Sequence, residues 1–280
     1  MNQHHLLSSM CLLLAAAPLS AFAETNQCSV ITTLPATISN AGVYCINQDL
    51  TLAGSTGSAV TIGADSVTLD LNGHALRSNA AANTATAGVT VVGHKYFTII
   101  DGTIAGFAEG VNVESLASTP RSKGGLIADL KVQRSVAFGI GIDCDGCVVR
   151  DNLVTDTIVP ASIAGFSALG ISVVGTGALV SGNRVFNTHS VPTGAEAFAI
   201  AVLASNSVVS QNYVSNDAIA NPREYGILAG GANDIVSANQ AQGMPIGFDF
   251  TVTSVKYRDN LQSGCTYGYN GTAVDLGGNN

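Results

Sequence analysis

A group of acidic, basic and histidine side chains in the middle of the chain is best suited to chemistry. It comprises three acids, two bases, an imidazole and an amide: Glu114, Asp143, Asp145, Arg121, Lys123, His94 and Asn112. Two neighbouring carboxylates can act as general acid and base, or as acid and nucleophile, if one of them keeps its proton. They can instead share a calcium ion, while the bases hold an anionic substrate. Each role requires a fold that brings these residues together.

The elements that would position these residues are repeats. Eight segments open with Gly or Ala followed by alternating aliphatic residues, and they start at Ala59, Gly88, Gly110, Gly139, Gly170, Ala199, Gly226 and Gly247. The spacings are 29, 22, 29, 31, 29, 27 and 21 residues, which fit a minimal unit of 21 or 22 residues lengthened by insertions. Alternation of period two predicts strands with one face buried and the other exposed. The repetition predicts a stack of short strands.

A recurring asparagine supports the same stack. It lies 13 residues after the opening residue of five successive repeats, at Asn152, Asn183, Asn212, Asn239 and Asn260. In coils about 4.8 Å apart, these side chains would form a hydrogen-bonded ladder that satisfies turn amides. We therefore predict that this ladder is structural.

The chain resembles the right-handed parallel β-helix, or pectate-lyase-like, superfamily from about Ser58 to Cys265. An entry segment at residues 34–44 and the phrase at residues 67–74 resemble the start of many secreted members. The resemblance implies an all-β fold, a right-handed parallel β-helix solenoid of about eight coils. With the N-terminal residues predicted to be a signal peptide, we divide the chain into that signal peptide (1–23), an entry or capping segment (24–57), the β-helix (58–265) and a C-terminal tail (266–280).

Stacking the repeats predicts which outward side chains meet. Glu114 and Asp143 fall in one outward column, and His94 falls in register with Asp145. The insertion at residues 115–124 would bring Arg121 and Lys123 over the acids. The predicted catalytic residues are His94, Glu114, Arg121, Lys123, Asp143 and Asp145, with Glu114, Asp143 and Asp145 as calcium ligands. The alternative is that the acids are ordinary solvated charges screened by the bases.

A second predicted surface consists of insertions that follow the asparagine turns and stack on one side. Together with Asn112, its candidate substrate-binding residues are Asp156, His189, Glu196, Asp217, Arg223 and Tyr225. Polar and aromatic groups suit sugar hydroxyls and ring faces, although loops of this kind are also tolerated simply as insertions.

Composition limits the partners. The net charge of −8 argues against nucleic acid and anionic membranes, and no later segment is apolar for long enough to span a membrane. An apolar run from Leu6 to Ala17, followed by the small-x-small pattern Ala21-Phe22-Ala23, predicts a signal peptide cleaved near Ala23 and export to the periplasm or outside the cell. Cys28 and Cys45 are placed to clip the entry segment, whereas Cys144 and Cys147 fit a local disulfide, a metal site or free thiols.

The resemblance makes a polysaccharide the expected partner. The paired-aspartate motif of polygalacturonases, the Asp-Pro-His run of alginate epimerases and the arginine motif of pectate lyases are all absent from the sequence. The leading hypothesis is therefore a secreted protein that binds an extracellular polysaccharide and, in its catalytic form, cleaves it as a lyase or hydrolase. The alternative is a non-catalytic adhesion or structural protein of the cell surface or matrix.

Overall fold

The computed structural model describes residues 27–80, 85–192 and 194–280, so the predicted signal peptide lies outside the described residues. Within these ranges the regular structure consists of strands, and no helix is long and apolar enough to cross a membrane.

The strands are short and follow one another along the whole described chain. They are β1 (Ser29–Val30), β2 (Ala36–Ile38), β3 (Gly42–Cys45), β4 (Leu50–Leu52), β5 (Thr56–Ile62), β6 (Val67–Asp70), β7 (Ala75–Ser78), β8 (Ala85–Val92), β9 (Thr98–Ala105), β10 (Glu109–Glu114), β11 (Ser122–Lys123), β12 (Leu126–Gln133), β13 (Phe138–Asp145), β14 (Val148–Arg150), β15 (Leu153–Val159), β16 (Ala168–Val174), β17 (Leu179–Ser181), β18 (Arg184–Ser190), β19 (Ala197–Val202), β20 (Val208–Ser210), β21 (Tyr213–Ser215), β22 (Glu224–Ala229), β23 (Ile235–Ser237), β24 (Gln240–Gln242), β25 (Ile246–Phe250), β26 (Lys256–Arg258), β27 (Leu261–Ser263), β28 (Tyr267–Gly271) and β29 (Val274–Asp275).

Successive coils stack in parallel register. In the described residues, one sheet has 18 strands, and the other follows the path β2-β5-β8-β10-β13-β16-β19-β22-β25-β28, with β11 added beside β13. The eight predicted openings lie in β5, β8, β10, β13, β16, β19, β22 and β25. Strands β2 and β28, within the predicted entry segment and tail, continue the same path. The all-β parallel β-helix is therefore confirmed.

A continuous aliphatic core fills the stack. Val111 pairs with Ile140, Ile140 with Ile171, and Ile171 with Ile200, and all four side chains are fully buried. Position 139 requires glycine because neighbouring coils approach its Cα closely. An added Cβ would lie 2.5 Å from both the Gly170 carbonyl oxygen and Val154 Cγ1. The openings are small because each contacts the next coil directly.

The predicted asparagine ladder is present and extends to Asn279. Each Nδ2 donates to the Oδ1 of the next coil's asparagine at 2.9–3.1 Å, from Asn152 through Asn183, Asn212 and Asn239 to Asn260 and Asn279. Every acceptor also receives a backbone N–H, and every Nδ2 from Asn152 to Asn260 donates to a carbonyl of the preceding coil. The ladder therefore satisfies polar groups inside the stack.

Two disulfides are present in the described residues. Cys28 is joined to Cys45, as the sequence predicts, and Cys144 is joined to Cys147, which selects the local bridge among the three alternatives. The Cys265 thiol is free. The second bridge closes the end of β13, directly beside two of the candidate acids.

Candidate functional site

The outer face of β10 carries the centre of the candidate site. Val111 and Val113 point into the core, so Asn112 and Glu114 point outward on the alternate positions. Glu114 pairs with Val92 of the preceding coil, and the β10–β13 register places it beside Asp143 of the next coil. The structure therefore contains the outward column that stacking predicts.

A second glutamate joins Glu114 through a shared amide. Asn112 Nδ2 donates to Glu109 Oε2 at 2.6 Å and to Glu114 Oε1 at 3.2 Å. Glu109 is absent from the sequence-based set because strict alternation from Val111 would turn it inward. Gly110 and Val111 are both buried, so the alternation is interrupted there and Glu109 reaches the outer side. Its position three residues before Asn112 is the only signal in the sequence.

The surroundings of Glu109 favour its protonated form. Burial raises the pKa of Glu109, the nearby charge of Glu114 raises it further, and the hydrogen bond from Asn112 lowers it by less. Glu109 therefore keeps its proton to a higher pH than an ordinary glutamate. A carboxyl group that keeps its proton can serve as a general acid.

The insertion between β10 and β12 folds over the acids. Arg121 Nε lies 2.7 Å from Asp143 Oδ1, Arg121 Nη1 lies 3.5 Å from Asp145 Oδ1, and Lys123 Nζ lies 4.0 Å from Asp145 Oδ2. The structure thus brings both bases to the acids. The Arg121 guanidinium supplies the positive charge that the calcium hypothesis assigns to a metal. In the described part of the chain, no three His, Cys, Asp or Glu side chains are grouped to hold a metal ion.

His94 is in a different place from the one predicted. Residues Ser122 and Lys123 form strand β11, which adds beside β13 and forms a bridge to Lys95, so Lys95 rather than His94 shares a register position with Asp145. The His94 Nδ1 atom lies 3.0 Å from Asp65 Oδ1. The prediction of the His94 register was wrong because the insertion contributes a strand of its own.

Two open cavities flank the glutamates along the sheet. One, of about 190 Å³, is lined by Glu109, Asn112 and Glu114 with polar and small residues of the preceding coils, including Ser58 and Thr90. The other, of about 240 Å³, continues past Asn112 and Glu114 to the next coils.

Phe138 forms part of the second cavity. Its ring lies against Gly141, where an added Cβ would be 3.3 Å from two ring atoms. Hydroxyl and amide groups on one side of the glutamates and an aromatic ring on the other suit a bound sugar.

The second predicted surface separates into small clusters that bond internally. Asn187 Nδ2 donates to Asp156 Oδ1 at 3.3 Å and to Asp217 Oδ2 at 3.2 Å. Arg223 pairs with Glu196 at 2.6 Å.

The remaining two candidates of that surface, His189 and Tyr225, are half-buried. The His189 Nδ1 atom lies 3.0 Å from Oε1 of the fully buried Glu224, which also accepts backbone N–H groups from Ala220 and Asn221. Burial raises the pKa of Tyr225, and the charges of Glu196 and Asp249 act in the same direction. Glu224 therefore stabilises its own loop, which favours a structural role for His189.

Comparison with known proteins identifies the fold. The chain matches no protein-family model and no curated protein. Among solved structures it is similar to the enzymatically active domain of tailspike protein 2 from bacteriophage CBA120, with a TM-score of 0.52 and 13% identity over 82% of this chain and 42% of that domain. The chain thus spans less than half the length of this neighbour.

Two lyases give weaker matches. A pectate lyase has a TM-score of 0.46 and 11% identity over 85% of this chain and 69% of the enzyme. An alginate lyase from Paenibacillus has a TM-score of 0.41 and 13% identity over 84% of this chain and 87% of the enzyme. Together with the two parallel sheets, the similarity to the tailspike domain shows that the fold of the chain is a parallel β-helix.

Proposed function

We propose that this chain is a secreted protein that binds an extracellular polysaccharide along the outer face of the β2-to-β28 sheet and hydrolyses it at Glu109 and Glu114. The hydrogen bonds from one Asn112 nitrogen to both carboxyl groups carry this proposal. They hold two carboxyl groups side by side in an open groove, which is the arrangement that glycoside hydrolysis requires.

The geometry favours a double displacement. The two acceptor oxygens lie at most about 6 Å apart because both bond the same nitrogen, which is shorter than the ~6.5–9.5 Å carboxyl separation of inverting enzymes and compatible with the ~5–5.5 Å of retaining enzymes. Glu109 donates its proton to the glycosidic oxygen, while Glu114 attacks the anomeric carbon and forms a glycosyl ester. Glu109, now ionised, takes a proton from water, and that water releases the sugar with its original configuration.

The surrounding charges favour hydrolysis over elimination. A lyase needs a positively charged protein group beside the carboxylate of its substrate. Arg121 does not offer this charge to a substrate, because it is already paired with Asp143 and Asp145. We assign Arg121 to positioning Asp143 and Asp145. Lys123 is more exposed, and its Nζ atom lies 4.0 Å from Asp145 Oδ2.

Export is consistent with the two disulfides, which persist in oxidising compartments.

A polysaccharide panel tests this function. Purified protein is incubated with each glycan, and both new reducing ends and the absorbance of unsaturated products are measured. We expect reducing ends without unsaturated products from at least one glycan, and losses of at least about 100-fold in Glu109→Gln and Glu114→Gln. The matched control is Asp259→Asn, an exposed carboxylate paired with Arg258, which should cleave as the native protein does.

Non-catalytic adhesion is the second candidate function. A column of aliphatic side chains runs across the other sheet through Leu179, Val208 and Ile235, and the last two are exposed. Exposed apolar columns of this kind suit a partner surface. Retained binding to one glycan with no product from any of them would favour this function and overturn hydrolysis.

A further inference from the structure

An apolar cavity opens directly beside Glu109. Its volume is about 250 Å³, and the described residues that line it are seven apolar side chains and one carboxyl: Ala85, Ala108, Val136, Ala137, Val159, Ile163, Phe166 and Glu109. It shares Ala85, Ala108 and Glu109 with the polar cavity that contains Asn112 and Glu114. A molecule held at the glutamate pair can therefore extend a substituent into it.

The far wall is built by the insertion that follows β15. Ile163 packs on a small cluster of Val159, Ala168 and Ala197, which is separate from the main core. The insertion is held by hydrogen bonds from Ile163 N to the Pro160 carbonyl at 3.0 Å and from Ser190 Oγ to the Phe166 carbonyl at 3.1 Å. Phe166 stays 57% exposed at the rim, where a bound group would cover it.

The lining selects the chemistry of that group. A sugar hydroxyl placed among these aliphatic walls would lose its hydrogen bonds to water without replacement. A methyl group loses nothing and gains contact with the walls. We propose that the cavity binds a methyl-terminated substituent, an acetyl group or the methyl of a 6-deoxy sugar, on the sugar residue held at Glu109 and Glu114. This inference rests on the proposed function and names the class of its substrate.

Small sugars test the cavity without requiring catalysis. Binding of N-acetylglucosamine, L-rhamnose and glucose is measured by NMR saturation transfer and titration. We expect the two methyl-bearing sugars to bind about tenfold more tightly than glucose, with the strongest saturation at their methyl protons. The acetyl and 6-deoxy probes distinguish the two sources of the methyl group.

Two variants assign the preference to this cavity. Ala137→Leu fills it and should remove the tenfold preference, and Phe166→Ala, at an exposed rim position, should weaken the preference without affecting the core. Ala53→Leu, at an exposed position near β4, is the matched control and should change nothing. Equal binding of all three sugars, no detectable binding, or a preference that survives both cavity variants would overturn the inference.

Cleavage separates this inference from the proposed function. Acetylated xylan is compared with the same xylan after alkaline removal of its esters, and a rhamnose-containing polysaccharide serves as the 6-deoxy arm. Equal cleavage of substituted and unsubstituted polymers would overturn the methyl preference and leave hydrolysis intact. Methyl-selective binding without any cleavage would support the cavity and overturn hydrolysis.

Discussion

Replacing Asn212 by alanine should unfold the chain at much lower denaturant than the native protein. The side chain is 1% exposed and makes four hydrogen bonds. Its Nδ2 donates to the Val180 carbonyl and to Asn239 Oδ1, both at 2.9 Å, and its Oδ1 accepts from the backbone N and the Nδ2 of Asn183, both at 3.0 Å. Alanine removes all four and leaves buried groups of two neighbouring coils unpaired.

We expect a loss of about 4 kcal/mol in the free energy of unfolding, at roughly 1 kcal/mol for each bond. Urea unfolding followed by far-ultraviolet circular dichroism measures it. Because each coil contacts only its neighbours, the transition should also become broader. The control is Gln240→Ala, an exposed amide on the next coil, which should change the value by less than about 0.5 kcal/mol. A loss below about 1 kcal/mol for Asn212→Ala would refute the stabilising role of the ladder.

Three further predictions concern the core and the acids. Burial raises the pKa of Asp234 to about 6. The free energy of unfolding should therefore be highest below about pH 4 and fall by up to about 3 kcal/mol as pH rises through 6. Unfolding curves of Asp234→Asn should lack that dependence, and an unchanged profile would contradict the assignment. Gly139→Ala should lower stability by about 1–3 kcal/mol in thermal unfolding, because its methyl meets the Gly170 carbonyl; an unaltered melting temperature would argue against the close stacking. Activity should fall as rising pH ionises Glu109, at a pH above the ordinary glutamate range; a rate that keeps rising with pH would exclude a protonated Glu109.

The stack could be predicted from sequence because its causes are local and periodic. Val111, Ile140 and Ile171 recur at one position of each coil, and parallel stacking then sets the neighbours of every outward residue. The Glu114–Asp143 column follows from that register alone. The asparagine ladder follows for the same reason, since equal spacing places equal side chains in contact.

Glu109 and His94 could not be placed in this way. Glu109 precedes the strand's regular alternation, and its outward position depends on the buried Gly110–Val111 step. His94 was misplaced because an insertion supplied strand β11, which no repeat predicts. In both cases the deciding feature is an interruption of the pattern.

The central claim is that Glu109 supplies the proton during glycoside hydrolysis, and its most direct test compares two substrates of Glu109→Gln. One is the polysaccharide that the native protein cleaves, and the other is an aryl glycoside of the same sugar, whose leaving group needs no protonation. We predict a loss of at least about 100-fold on the polysaccharide and little loss in the first release of the aryl group, which precedes the step in which Glu109 acts as a base. Equal losses on both substrates, or native activity on the polysaccharide, would contradict the account.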